Sequence, residues 1–144
     1  MPRSSQVVDL SGVWLFNGCS KAERKSIERR AKSVEVPAGT TVVNEGEVGT
    51  VFYFITDGKA TVMSRGRKVT ELGPGQYFGE LTLLDRLPRS ATVKAATDLT
   101  LLAIVQREFE AILKESPSTT RKLLVATVSR LRAADNEELP AIVD

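Results

Sequence analysis

Histidine is absent from the 144 residues, and with it go the commonest metal ligand and the commonest general base. Ser–His and Cys–His nucleophilic pairs and His-bearing zinc sites each lack a member, which closes most hydrolase readings. Cysteine is nearly absent too: Cys19 stands alone, forms no internal disulfide and fits a reducing, cytoplasmic setting. No apolar run approaches the roughly 18 residues of a membrane span, and Met1 to Leu10 carries no apolar stretch of signal-peptide type, so neither span nor export signal is visible. An excess of charge is also missing. Lys+Arg 20 against Asp+Glu 18 leaves +2, too slight a balance to argue for nucleic acid without a local patch.

What remains is ordinary globular composition, 42% hydrophobic and 26% charged, in a length that suits one domain. A chain of this size buries about 68–70% of its unfolded surface, enough for a core without disulfides or metal. Residues 10–33 read as an N-terminal helical segment. Its helix runs from Lys21 to Ser33, with Ser20 as cap, Glu23 completing a capping box, and Ala22, Ile27 and Ala31 facing inward. Lys21, Arg24, Lys25, Arg29, Arg30 and Lys32 make this helix basic, but Glu23 and Glu28 interleave with them, so it reads as a solvated flank.

Residues 34–105 change texture to short β-rich runs punctuated by glycine: Pro37-Ala38-Gly39, Glu45-Gly46-Glu47, Asp57-Gly58, Arg65-Gly66 and Gly73-Pro74-Gly75. Val51-Phe52-Tyr53-Phe54-Ile55 is almost continuously apolar, whereas Lys59 to Ser64 and Lys68 to Leu72 alternate, as strands with one face on a core do. An antiparallel sandwich or barrel follows. Residues 106–138 return to helix, first Gln106 to about Glu115 with Phe109, Ile112 and Leu113 inward, then, past Ser116-Pro117, Ser118 to about Glu138. Leu124, Val128 and Leu131 form a stripe that either pairs two subunits or packs on the β-domain.

Candidate chemistry concentrates in residues 78–93, from Phe78-Gly79-Glu80-Leu81 to Pro88-Arg89-Ser90-Ala91-Thr92-Val93. Gly79 permits close backbone approach, and Glu80 to Leu84 can form one helical turn whose free N–H groups favour an anion. Arg89 offers a fork of donors matching two phosphate oxygens, and Glu80 a carboxylate suited to a sugar hydroxyl. Ser90 adds a hydroxyl donor, and Ala91 is small enough for its N–H to approach a bulky anion. By spacing alone a second reading stands beside this one, in which Glu80 and Arg89 merely pair with each other in a surface loop.

This segment resembles the phosphate-binding cassette of cyclic nucleotide-binding domains, shared by bacterial catabolite activators, cyclic-nucleotide-dependent kinases and gated channels. The likeness extends over most of the chain, through Leu15-Phe16, Pro37-Ala38-Gly39, Glu45-Gly46-Glu47, Phe52-Tyr53-Phe54-Ile55 with Gly58, Leu72-Gly73-Pro74-Gly75, Val93-Lys94-Ala95 and Arg130-Leu131. It implies a mainly β fold, an eight-stranded antiparallel jelly roll with an N-terminal helix and two C-terminal helices. It implies further that Glu80 takes the ribose 2′-hydroxyl with Gly79 and Leu81 beside it, and that Arg89, Ser90 and Ala91 take the cyclic phosphate. Val62, Val69, Thr70 and Val93 match base-pocket positions, or else are plain sheet core.

In such domains the last helix closes over the base, which brings in Arg130, Leu131, Ala134 and Asp135. Catabolite activators carry small hydroxyl residues where this chain has Ala134 and Asp135, so the adenine contacts are only partly replaced; Asp135 has an acceptor for the amino group. The resemblance implies a standalone, bacterial-type regulatory module that binds cAMP, with cGMP or a degenerate, non-binding interaction module as alternatives. It implies no catalysis and no metal; cupin-type metal chemistry and a phosphodiesterase both lack their ligands here. Ligand would draw the cassette inward, shift Leu81 and Leu84 against Phe109 and close the Ser118 to Glu138 helix, whose posture would bias an effector protein. With the sequence ending at Asp144, no helix-turn-helix follows and no direct DNA binding is expected; homodimer and monomer remain open.

Overall fold

The computed structural model describes Leu10 and residues 13–137, and of Leu131 and residues 134–137 the backbone alone. Eight strands form two four-stranded sheets, and every pairing between them is antiparallel. The first sheet runs β1 (Lys32–Val36), β8 (Leu99–Val105), β3 (Val51–Asp57), β6 (Tyr77–Phe78); the second runs β2 (Thr41–Val43), β7 (Thr92–Ala95), β4 (Ala60–Ser64), β5 (Arg67–Leu72). Consecutive strands β1 and β2 fall in different sheets, which makes the arrangement a jelly roll. Four helices flank it: α1 (Lys21–Arg30), α2 (Glu80–Asp85), α3 (Gln106–Glu115) and α4 (Pro117–Glu137), preceded by a single 3-10 turn at Trp14–Phe16.

Two cores explain why Val51 to Ile55 of β3 are almost continuously apolar. Ile55 and Tyr53 face the space between the sheets with Leu99 and Leu101 of β8 and Phe78 of β6. Phe52 and Phe54 face the other way, with Leu102, Ile104 and Tyr77, onto Ile27 of α1, Phe109 and Ile112 of α3 and Leu123 of α4. The first sheet is thus covered on both faces, and its central strands lose the alternation that a half-exposed strand would keep.

The capping box on α1 is present, Ser20 Oγ accepting from the Glu23 N–H at 3.1 Å and Glu23 Oε1 accepting from the Ser20 N–H at 2.7 Å. The helix nevertheless ends at Arg30, short of Ser33, because residues 32–36 pair with β8 and Ala31 has already turned extended. Ala22 is exposed; Ile27 and Ala31 carry the inward face. Arg30 reaches Glu108 at 2.6 Å and Glu115 at 2.5 Å, joining α1 to α3. The expected alternation of Lys68 to Leu72 also fails, since only Leu72 of β5 is buried. β5 is an edge strand, and its register slips opposite Val62 and Met63, leaving Val69 as the extra residue of a bulge. Leu124 and Val128 of the expected α4 stripe are exposed rather than packed on the roll, and the Leu131 side chain lies outside the described residues.

Candidate ligand-binding site

Residues 78–93 leave β6, turn through α2 and return into β7 between the two sheets' ends. Gly79 makes the turn with φ +94, a left-handed conformation that side-chain-bearing residues rarely adopt. A Cβ there would lie 2.9 Å from Arg89 Nη1 and 3.0 Å from the Val51 carbonyl oxygen. Gly49 is confined by the same side chain, for a Cβ on it would land inside the Arg89 guanidinium. Two glycine backbones therefore form walls around one guanidinium.

Arg89 is 5% exposed and is held by main chain. Its N–H donates to the Glu47 carbonyl at 2.8 Å, its carbonyl accepts from the Gly46 N–H at 2.8 Å, and Nη2 donates to the Val51 carbonyl at 3.1 Å. These bonds give the Glu45-Gly46-Glu47 turn its purpose: it clamps the loop before β7 that carries Arg89. Glu45 extends the clamp, its N–H donating to Thr92 Oγ1 at 2.9 Å and its Oε1 accepting from the Arg65 N–H at 3.0 Å. Thr82 is fully buried beneath the cassette, donating to the Leu87 carbonyl at 2.7 Å and accepting from the Gly49 N–H at 3.0 Å. Nearby, Ser64 Oγ donates to the Ser90 carbonyl at 3.2 Å.

Glu80 is 1% exposed, and Arg130 of α4 donates to its Oε2 at 2.8 Å. Both residues are buried, so the surface placement in the reading that merely pairs Glu80 with Arg89 in a surface loop does not hold. The same guanidinium lies 5.4 Å from the centroid of the Tyr77 ring. Burial pushes the Tyr77 phenol above its ordinary range, the Glu80 carboxylate adds to that rise, and the Arg130 charge opposes it. A carboxylate buried this deeply is stable only with a cation or several donors around it, and α4 supplies the cation.

The cassette residues expected from the sequence come together: Gly79, Glu80, Arg89 and Ala91 buried, Leu81 half-buried and Ser90 exposed. Among the wall residues, Val43, Val93, Val62 and Thr70 stand opposite one another in a row across β2, β7, β4 and β5. Val93 and Val62 belong to the core between the sheets, while Thr70 and the bulge residue Val69 are exposed at the edge. Arg130 lies against Glu80 and Tyr77; the side chains of Leu131, Ala134 and Asp135 lie outside the described residues. Leu83, rather than Leu84, joins the cluster that holds Phe109, and Leu84 is exposed. Gly49, Tyr77 and the Thr82 hydroxyl are the participants that the sequence reading lacked. Among the described residues no group of His, Cys, Asp and Glu suited to a metal ion occurs, and no helix is long and apolar enough to cross a membrane.

A buried guanidinium walled by glycine backbone, a buried carboxylate on the same segment, and a long helix reaching that carboxylate define a class: a jelly-roll binding domain suited to an anionic ligand that also carries hydroxyls. A family model described as the cyclic nucleotide-binding domain matches residues 33–116, more than half of the chain. The chain belongs to that family. It is 36% identical over 121 residues to a cyclic nucleotide-gated potassium channel of Rhizobium etli, covering 84% of this chain and 34% of the channel. It is 37% identical over 106 residues to a cAMP-dependent protein kinase regulatory subunit of Yarrowia lipolytica, covering 72% of this chain and 28% of the subunit. The crystal structure of the Thermus thermophilus catabolite activator protein superposes with a TM-score of 0.80 at 31% identity, over 85% of this chain and 60% of that one. The chain thus spans about a third of the length of these curated relatives.

Proposed function

We propose that this domain is a regulatory sensor whose ligand is cAMP. In this reading Arg89 takes two oxygens of the cyclic phosphate, with the Ser90 hydroxyl and the Ala91 N–H beside it, and Glu80 accepts from the ribose 2′-hydroxyl with Gly79 and Leu81 forming the adjoining wall. The base lies along Val62, Val93, Thr70 and Val69 and under α4, where Arg130, Leu131, Ala134 and Asp135 bear on it. The observation that carries the proposal is the pair of opposite charges, Glu80 and Arg89, buried at 1% and 5% in one cassette. A guanidinium fork matches two phosphate oxygens and a carboxylate accepts from a sugar hydroxyl, so a ligand that presents an anion to one and a hydroxyl to the other suits this pair. One relative is by name a cAMP-dependent kinase subunit, which supports the choice of cAMP over cGMP.

Binding makes and breaks no bond, so the output is conformational. Ligand shifts the population only as far as it favours one posture of α4 over another, and the partner that reads the posture is an effector protein. Titration calorimetry with cAMP and cGMP side by side tests the reading. We expect micromolar or tighter binding of cAMP, weakened more than about 30-fold in Arg89→Ala, because a buried charge-assisted bond is lost. Affinity unchanged in Arg89→Ala removes Arg89 from the site; stronger binding of cGMP reassigns the ligand. No heat with either nucleotide, in folded and nucleotide-free protein, makes this a module for protein contacts alone.

A further inference from the structure

Arg130 meets two different partners from one short stretch of chain. Its Nη1 lies 2.8 Å from Glu80 Oε2 at the start of α2, and its guanidinium carbon lies 5.4 Å from the Tyr77 ring centroid on β6. Tyr77 is itself packed 5.5 Å from Phe52 of β3, and Phe52 lies 5.1 Å from Phe109 of α3. The ring is therefore a fixed surface anchored in the helix-facing core, whereas the Arg130 side chain is 31% exposed. An ion pair with one partly solvated partner is weakened by screening and by the freedom of the long side chain. A planar guanidinium is weakly hydrated and stacks well on an aromatic face, so the ring removes part of that freedom.

We infer that Tyr77 is a positioning residue for the last helix: the face of its ring holds the Arg130 guanidinium on Glu80, and this clasp ties α4 to the cassette. Removing the ring loosens α4 even though Glu80 and Arg130 are both intact. The hydroxyl of Tyr77 is not needed for the clasp. A further consequence rests on the proposed nucleotide site: a carboxylate accepts several hydrogen bonds, so Arg130 on Oε2 and a ribose hydroxyl share Glu80, and Tyr77 raises affinity without touching the ligand.

The test uses Tyr77→Phe, Tyr77→Leu, Arg130→Leu and the double variant Tyr77→Leu/Arg130→Leu. The first readout is hydrogen exchange of the α4 amides around Arg130 without nucleotide. Tyr77→Leu should speed exchange about three- to tenfold, in line with loss of a cation–ring contact, and Tyr77→Phe by less than about twofold. The double variant should exchange no faster than Arg130→Leu alone, since both break one clasp. Additive effects, or a phenylalanine as harmful as leucine, overturn the inference. Should Tyr77→Leu fail to fold, Arg130→Leu decides by itself: the ring resonances of Tyr77 must shift, and unshifted resonances end the proposal. The second readout is calorimetry with cAMP, in which Tyr77→Leu should weaken binding about fivefold and Tyr77→Phe should bind as wild type. If cAMP does not bind at all, the exchange data still judge the clasp, so the two readings fail separately.

Discussion

Arg89 and Glu80 stand at opposite ends of one cassette, equally buried, and they are held by opposite means. Arg89 is fixed by main chain: the Glu47 and Val51 carbonyls, the Gly46 N–H, and the backbones of Gly49 and Gly79 around its guanidinium. All but Gly79 belong to β3 or to the turn before it. Glu80 is met by a side chain from α4, a helix joined to the roll through few buried residues, Leu123 and Thr119 among them. The guanidinium end is thus bonded to main chain, and the carboxylate end to a side chain from another element. In the proposed sensor this division would let the last helix change posture while the anion contact stays, because a switch requires two postures that differ in a few contacts only.

Several substitutions would break or sharpen that contrast. The largest effect is expected at Gly49→Ala, where the added methyl displaces the guanidinium and leaves a buried charge misaligned; cAMP affinity by calorimetry should fall more than about tenfold, although residue 49 touches no ligand group in the proposed site. Unchanged affinity would mean that the Arg89 end is as pliable as the other. Next, Thr82→Val keeps shape but removes the hydroxyl that joins Gly49 to Leu87, which should cost about 1–3 kcal/mol in chemical denaturation. Glu80→Gln should be milder for the ligand, weakening cAMP about three- to tenfold and 2′-deoxy-cAMP hardly at all. Equal losses for the two nucleotides would sever Glu80 from the ribose.

The smallest effect concerns pH. The Tyr77 phenol titrates higher in the folded chain than in the unfolded one, so the folded state holds its proton longer. Its contribution to stability is fully present below the unfolded value of about 10 and is lost as pH rises through the folded value. Denaturation midpoints of wild type should therefore fall above about pH 10 more steeply than those of Tyr77→Phe. Parallel curves would place the phenol in contact with water.

Much of this was readable in one dimension, and the failures have physical causes. The Ser20 and Glu23 box, the span of α3 and the glycine turns are local: each depends on residues within a turn of one another, so composition at that spacing is enough. The cassette was legible because glycine, carboxylate and guanidinium sit on one continuous segment. The end of α1 was not, since Lys32 and Ser33 become strand only when β8 arrives to pair with them. The bulge at Val69 was hidden for the same reason, a register slip being a property of two strands. Gly49 carried no local signal at all; its constraint is the guanidinium of a residue far along the chain.

The sequence by itself determined the class of fold and the segment on which glycine, carboxylate and guanidinium lie together, because turns, caps and alternation are short-range. Only the tertiary structure decided how those charges are held: by backbone walls at Arg89, and by Arg130 and the ring of Tyr77 at Glu80. Those contacts join residues separated by whole strands and helices, and the energy of a buried charge depends on what surrounds it in space, which no linear spacing records.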